Sequence, residues 1–293
     1  MTLKGYACAS GAGTIINAIA AWKGVAFGID LKTFAKVELF EDDTRISGSI
    51  EEIPEGDTRL IEHCVRLVLE KFELELGGTV RTRSQIPLAS GLKSSSAAAN
   101  ATVLATLKAI GEVLSPLEVV KLGVRAAKET GVTITGAFDD ACASFFGGVT
   151  VTDNRTLELI KREEFESKVL IFTPEKKAFS ADTNVKRSRL LAPYVEMAYG
   201  LALEGKYEMA MTLNGFLYCG ALGFETEHML RALECGIKGV SLSGTGPSYT
   251  ALVNREQATE LRNAWESCGL EGKIIETSIS NRDAITLSKE VSF

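Results

Sequence analysis

Histidine is nearly absent: His63 and His228 are the only two in 293 residues. Both fall in helical-looking segments beside acidic neighbours, Glu62 and Glu227, which predicts helix-surface positions and argues against Ser-His-Asp hydrolysis or a histidine-rich metal site. The six cysteines, Cys8, Cys64, Cys142, Cys219, Cys235 and Cys268, form no C-x-x-C pair. Neither a zinc site nor a redox pair is signalled, and reduced, mostly buried thiols are expected. A Walker A loop, G-x-x-x-x-G-K-[ST], is missing. No apolar run approaches the roughly 18 to 20 residues that span a bilayer, and the N-terminus lacks the charged-then-apolar layout of a signal peptide. A soluble, cytoplasmic chain with no membrane partner is the expectation. Basic excess is lacking too, with 32 Lys and Arg against 38 Asp and Glu and a formal net charge of -6. Binding to nucleic acid, which needs a basic face to displace counterions, is therefore not expected.

What is present is a globular composition, 45% hydrophobic, in a chain long enough for one large domain or two ordinary ones. Strand-forming residues broken by glycine fill 24–40, and "TRISGSIEEI" (44–53) reads as a hairpin-like continuation. From Asp57, an N-cap candidate, apolar residues at Ile61, Cys64, Val65, Val68 and Phe72 follow helical spacing. "GGTVRTRSQI" (77–86) alternates as a strand does, and Ala97–Ile110 is strongly helix-forming. Ser115, Pro116 and Glu118 compose a capping box for a further helix that Gly131 stops. A strand is expected over 145–153, and the charged stretch 154–168 is the expected boundary, giving domains over 1–155 and 156–293. The second half reads as a strand at 169–174, a Lys- and Arg-rich loop, helices across 190–236, strand-turn-strand over 239–253 and a closing helix. That order suits a ferredoxin-like sandwich.

Three stretches carry chemistry. In "PLASGLKSSSAAANA" (87–101) a glycine turn feeds three serines and then a helix-forming run. Free N–H groups and hydroxyls of a first helical turn suit a phosphate chain, and serine oxygens suit Mg²⁺; an ordinary helix cap with small residues for close packing reads equally well. "TGAFDDACASFFGG" (135–148) sets adjacent acids, Asp139 and Asp140, among apolar and small residues, where a carboxylate is costly without partners. "SGTGPS" (243–248) is a second glycine loop, weak as a signal by itself.

Together these stretches resemble the GHMP kinase superfamily, whose phosphate loop has the form P-x-x-x-G-L-[G or x]-S-S-[A or S]-A. Pro87, Gly91, Leu92, Ser94, Ser95, Ser96 and Ala97 fit that pattern, and Ser243, Gly244, Thr245, Gly246 and Pro247 resemble the C-terminal motif. The resemblance implies an α+β, two-domain GHMP kinase fold, with a ribosomal-protein-like N-terminal half and a ferredoxin-like C-terminal half. It implies ATP and Mg²⁺ as well, with the nucleotide on Pro87, Leu88, Ala89, Ser90, Gly91, Leu92, Lys93, Ser94, Ser95, Ser96 and Ala97, and on Gly244, Thr245 and Gly246. Counting back from Gly147, the family's catalytic aspartate falls at Asp140, and its metal-binding glutamate at Glu129. The metal-binding serine is Ser95 when the loop is aligned from Gly91, and Ser96 when it is aligned from the alanines.

The first family motif is degraded to 9–33, which lacks the Lys or Arg that some members place near the transferred proton; Lys23 is the candidate substitute. "SGAGTIINAIA", "GLKSSSAAANA" and "TGAFDDACAS" together are most similar to the archaeal-type shikimate kinases. That similarity implies transfer of the ATP γ-phosphoryl group to shikimate, giving shikimate 3-phosphate in aromatic amino acid biosynthesis. A carboxylate substrate needs a cation, and Arg187 and Arg189 are the leading candidates, with Asp139, Asn17, Asp30 and Thr183 as further substrate residues. A homoserine or mevalonate kinase, a non-catalytic ATP and metabolite sensor, and an RNA-associated domain are the alternatives. The oligomeric state is left open.

Overall fold

Alanine and glycine dominate Leu3–Ile16, which nonetheless forms the long strand β1. Small residues are needed there because helix α2 (Ser94–Ile110) lies directly on the strand: a Cβ at Gly5 would meet the Ala105 carbonyl oxygen at 1.9 Å. β1 pairs antiparallel with β2 (Lys23–Phe40), the centre of the first sheet. The computed structural model describes residues 2–41, 44–133, 136–175, 185–269 and 271–289.

The expected hairpin over 44–53 is corrected by the sheet. β3 (Ile46–Ile50) runs parallel to β4 (Gly77–Ser84), with α1 (Arg59–Lys71) as the crossover between them. The reason is that β4 already occupies the Thr33–Phe40 edge of β2, leaving β3 the outer position. The inner half of β2, Lys23–Phe27, pairs with β5 (Val149–Asp153), and β6 (Glu158–Glu163) pairs with β5 in turn. α3 (Pro116–Glu129) begins at the expected capping box, in which Glu118 Oε2 accepts from Ser115 N at 3.1 Å and Ser115 Oγ at 2.7 Å. α4 (Phe138–Phe146) takes up Phe145 and Phe146, which the sequence had suggested for a strand. Gly147 and Gly148, with φ of 59° and 64°, break the helix before β5.

The second sheet is wholly antiparallel, in the order β10 (Gly272–Ser278), β7 (Lys168–Pro174), β9 (Tyr249–Val253), β8 (Gly239–Leu242). Helices α5 (Val185–Arg189), α6 (Ala192–Leu203), α7 (Tyr207–Leu222), α8 (Glu227–Glu234) and α9 (Arg255–Ser267) belong to this half. The first sheet keeps the chain through Glu163, past residue 155, and takes it back at β11 (Ile285–Leu287), which pairs with β1. Among the described residues no helix is long and apolar enough to cross a membrane.

His228 is not a surface residue. It is 2% exposed and stacked between Phe172 and Tyr249, with ring centroids 4.2 and 4.7 Å away. Met229 and Ala232 on the same helix are buried beside it, while Leu230 and Leu233 stay exposed. Burial pulls its imidazole down to about 4, so the unfolded chain, titrating near 6.5, binds the extra proton over that interval. Stability is therefore fully present above about pH 6.5 and is lost as pH falls toward 4, by up to about 3 kcal/mol from this group. His228→Phe, which keeps an aromatic ring in the stack, should lessen the drop in urea midpoint between pH 7 and pH 5. An identical drop in the variant would show that the imidazole is not what titrates.

Candidate active site

Two helix N-termini converge on one cleft of about 490 Å³. The first belongs to α2, whose opening residues Ser94, Ser95 and Ser96 all line it. First-turn N–H groups have no partner within a helix, so this end presents donors and a positive dipole to the cleft. The second belongs to α4, whose first turn carries Asp139 and Asp140. A buried tie holds the two helices together: Asn100 Nδ2 donates to the Ala141 carbonyl at 2.9 Å and to Ser144 Oγ at 3.2 Å. The asparagine within the alanine run thus has a positional task.

The loop over 87–93 is clamped from behind by the second glycine loop. Ser243 Oγ donates to the Gly91 carbonyl at 2.9 Å, and Ser248 N to the Ser90 carbonyl at 3.2 Å. Thr14 Oγ1 accepts from Gly244 N at 2.9 Å, which brings β1 into the same assembly. Leu88, Ala89, Ser90, Gly91, Lys93, Gly244 and Thr245 line the cleft. Pro87, Leu92, Ala97 and Gly246 do not: Leu92 and Ala97 are core residues at 1% and 0% exposure, and the Pro87 carbonyl accepts from Ser90 Oγ. Gly246 packs on Phe224, whose ring a Cβ would meet at 2.7 Å. Six non-glycine residues have positive φ among the described residues, and three of them, Ala89, Lys93 and Ala137, line the cleft. Unfavourable backbone is concentrated where the loops must turn toward the site.

The two acids differ. Asp139 is 4% exposed, accepts from Asn154 Nδ2 at 2.7 Å through Oδ1, and packs so closely on Gly24 that a Cβ there would sit 2.4 Å away. Burial, and then the negative charge of Asp140, push its carboxyl well above the usual range, against the opposing pull of Lys93 and Asn154. Asp140 is open to the cleft, and its Oδ1 lies 3.0 Å from Lys93 Nζ. Adjacent positions thus give one carboxyl buried in the cleft wall and one, less buried, beside Lys93.

Several expected residues lie elsewhere. Glu129 does not line the cleft; Arg125 Nε at 2.7 Å and His63 Nε2 at 2.5 Å engage its carboxylate and hold it below the usual range. Arg187 donates to the Gly220 carbonyl at 2.9 Å, docking α5 on α7, and neither it nor Arg189 reaches the cleft lining. Asp30 is exposed beside Lys32 at 3.6 Å, also away from the cleft. Thr183 lies outside the described residues. Asn17 does line the cleft, but its side chain is a tie: Nδ2 donates to the Gly244 carbonyl at 2.8 Å and Oδ1 accepts from Ile19 N at 3.0 Å. Lys23 is turned to Glu196 at 3.7 Å and the Tyr199 ring at 5.7 Å.

Among the described residues the cations lining the cleft are Lys93 and Arg59, the latter forked onto Asp57 at 2.9 and 2.6 Å. Arg59 was missed because its helix-start position is read more simply as a solvated cap. The sign for Lys93 was a lysine where the loop pattern permits glycine. Oxygen-bearing side chains at the α2 end of the cleft include the three serine hydroxyls and Asp140, and the carboxylates Glu52, Asp57 and Asp139 also line it. No cluster of three His, Cys, Asp or Glu suited to a metal occurs among the described residues, so a hard cation here would draw the rest of its ligands from phosphate oxygens.

A glycine-bearing loop at a helix N-terminus, backed by a second glycine loop and faced by a carboxylate, is the arrangement expected of a small-molecule kinase. The family model described as GHMP kinases N terminal domain matches residues 59–148. The chain is 77% identical to a shikimate kinase of Methanosarcina acetivorans, over 98% of this chain and 97% of that one. It is 75% identical to a shikimate kinase of Methanosarcina mazei, over 100% of both. A crystal structure of homoserine kinase from Cytophaga hutchinsonii shares the fold at a TM-score of 0.75 and 16% identity, covering 98% of this chain and 97% of that one. The chain belongs to the GHMP kinases, within the family of these shikimate kinases.

Proposed function

We propose that the protein transfers the γ-phosphoryl group of ATP to the 3-hydroxyl of shikimate, giving shikimate 3-phosphate and ADP. The observation that carries this reading is the full-length identity with shikimate kinases, and the geometry of the cleft agrees with it. The backbone N–H groups of Gly91–Ser96 and the α2 dipole bind the phosphate chain. Asp140, in the same cleft, accepts the proton of the attacking hydroxyl. The new bond joins the acceptor oxygen to the γ-phosphorus, the bond to the β,γ-bridging oxygen breaks, and ADP leaves with that electron pair. Ser95, exposed at the start of α2, is the residue we assign to Mg²⁺, which when bound offsets the charge of the phosphates. Asp139 supports Asp140 from the interior. The cytoplasm is the proposed compartment.

Release of ADP with Mg·ATP and separate additions of shikimate, homoserine and mevalonate tests the assignment. Turnover should require shikimate. Turnover on another acceptor alone would keep the kinase and remove the substrate, and ATP binding without ADP release on any of them would favour a sensor.

A further inference from the structure

Lys93 stands at a position where its backbone is unfavourable and its side chain is enclosed. It is the residue before α2, with φ 65° in the left-handed region that favours glycine, and its side chain is 8% exposed. Its ammonium does not reach solvent as a loop lysine ordinarily would. Nζ lies 3.0 Å from Asp140 Oδ1 and against Gly244, where a Cβ would meet it at 2.4 Å. Two loops and one helix have therefore been shaped around one ammonium group. Lys23, the other lysine near the site's first segment, is directed to Glu196 and Tyr199 instead.

We propose that Lys93 is a positioning residue for phosphoryl transfer: anchored on the phosphate loop, it holds Asp140 Oδ1 so that the other carboxylate oxygen faces the acceptor hydroxyl. This rests on the assignment of Asp140 as proton acceptor made above. Asp140 enters from α4 and the phosphates from α2, and the only ion pair between those two helix starts among the described residues is this one. The loop that seats the donor nucleotide thereby sets the place of the group that activates the acceptor. A misplacement of the order of 1 Å in such a pair costs roughly a hundredfold in rate.

A double-mutant cycle of Lys93→Met and Asp140→Asn reads this directly. Lys93→Met should lower kcat by roughly a hundredfold, while KM for shikimate and the calorimetric affinity for ATP stay within about threefold of the parent. Lys93→Arg should recover part of kcat. In the Asp140→Asn background, Lys93→Met should cost less than about threefold further, because it acts through a carboxylate already removed. Effects that multiply, or a loss confined to ATP affinity, would overturn the proposal and make Lys93 a phosphate ligand. If the Met variant does not fold, Lys93→Gln enters the same cycle. Should Asp140→Asn by itself leave kcat near the parent value, it is the assignment of Asp140 that fails, whatever the lysine variants show.

Discussion

Asp140→Asn should reduce kcat by roughly 10² to 10⁴ and leave a folded protein that still binds ATP. The substitution keeps the volume of the side chain and a partner oxygen for Lys93, and removes the group that can take a proton. The neighbouring substitution is the control. Asp139→Asn keeps an oxygen for Asn154 Nδ2, now accepted at 2.7 Å by Asp139 Oδ1, and removes a carboxyl that burial already disfavours in its charged form. It should cost less than about tenfold, within what a displaced supporting residue explains. Stopped assays of ADP formation, with far-ultraviolet circular dichroism on both variants, separate chemistry from folding. A loss below tenfold for Asp140→Asn would reduce Asp140 to a substrate-orienting group, and a larger loss for Asp139→Asn would move the chemistry one residue along the helix.

Gly91→Ala is expected to damage both stability and nucleotide binding. The residue has φ 79°, and a Cβ would lie 2.2 Å from the Ser243 carbonyl oxygen and 3.0 Å from that of Gly246. Both are backbone atoms, so no side chain can swing away to make room. The left-handed backbone adds about 1 kcal/mol for any L residue, and overpacking of this kind typically costs about 1–3 kcal/mol. The larger effect is on function, because separating the two loops breaks the bond from Ser243 Oγ to the Gly91 carbonyl and displaces the N–H groups that follow. ATP affinity should fall at least about tenfold, measurable by calorimetry, with a melting temperature lowered by several degrees. Parent-like ATP affinity in a destabilised variant would mean that the phosphates are seated elsewhere.

Local signals were legible where chemistry and backbone conformation coincide within a few residues. The capping box at Ser115 and Glu118 follows from a side chain meeting its own backbone, the turn at Ser243–Ser248 closes backbone to backbone, and α2 opens at its serines directly after Lys93 with no side-chain cap. β1 was not legible, since its alanines and glycines were selected by contact with α2 and carry no strand propensity of their own. The parallel placement of β3 was hidden for a similar reason, as it depends on β4 having taken the edge of β2. Glu129 and Asp30 were implied by the family resemblance, and Arg187 and Arg189 were chosen by residue type. Whether such side chains face the cleft depends on how α3, α5 and β2 are turned, which spacing does not encode.

By itself, then, the sequence determined the glycine-serine loop, the pair of acids and the family, because each rests on a short run of residues whose order is its own signal. Only the tertiary structure decided which of the two acids is buried and which pairs with Lys93, and which expected ligands stay outside. Those outcomes belong to the packing of α2 against α4 and of one glycine loop against another, contacts between segments as far apart in the chain as Gly91 and Ser243.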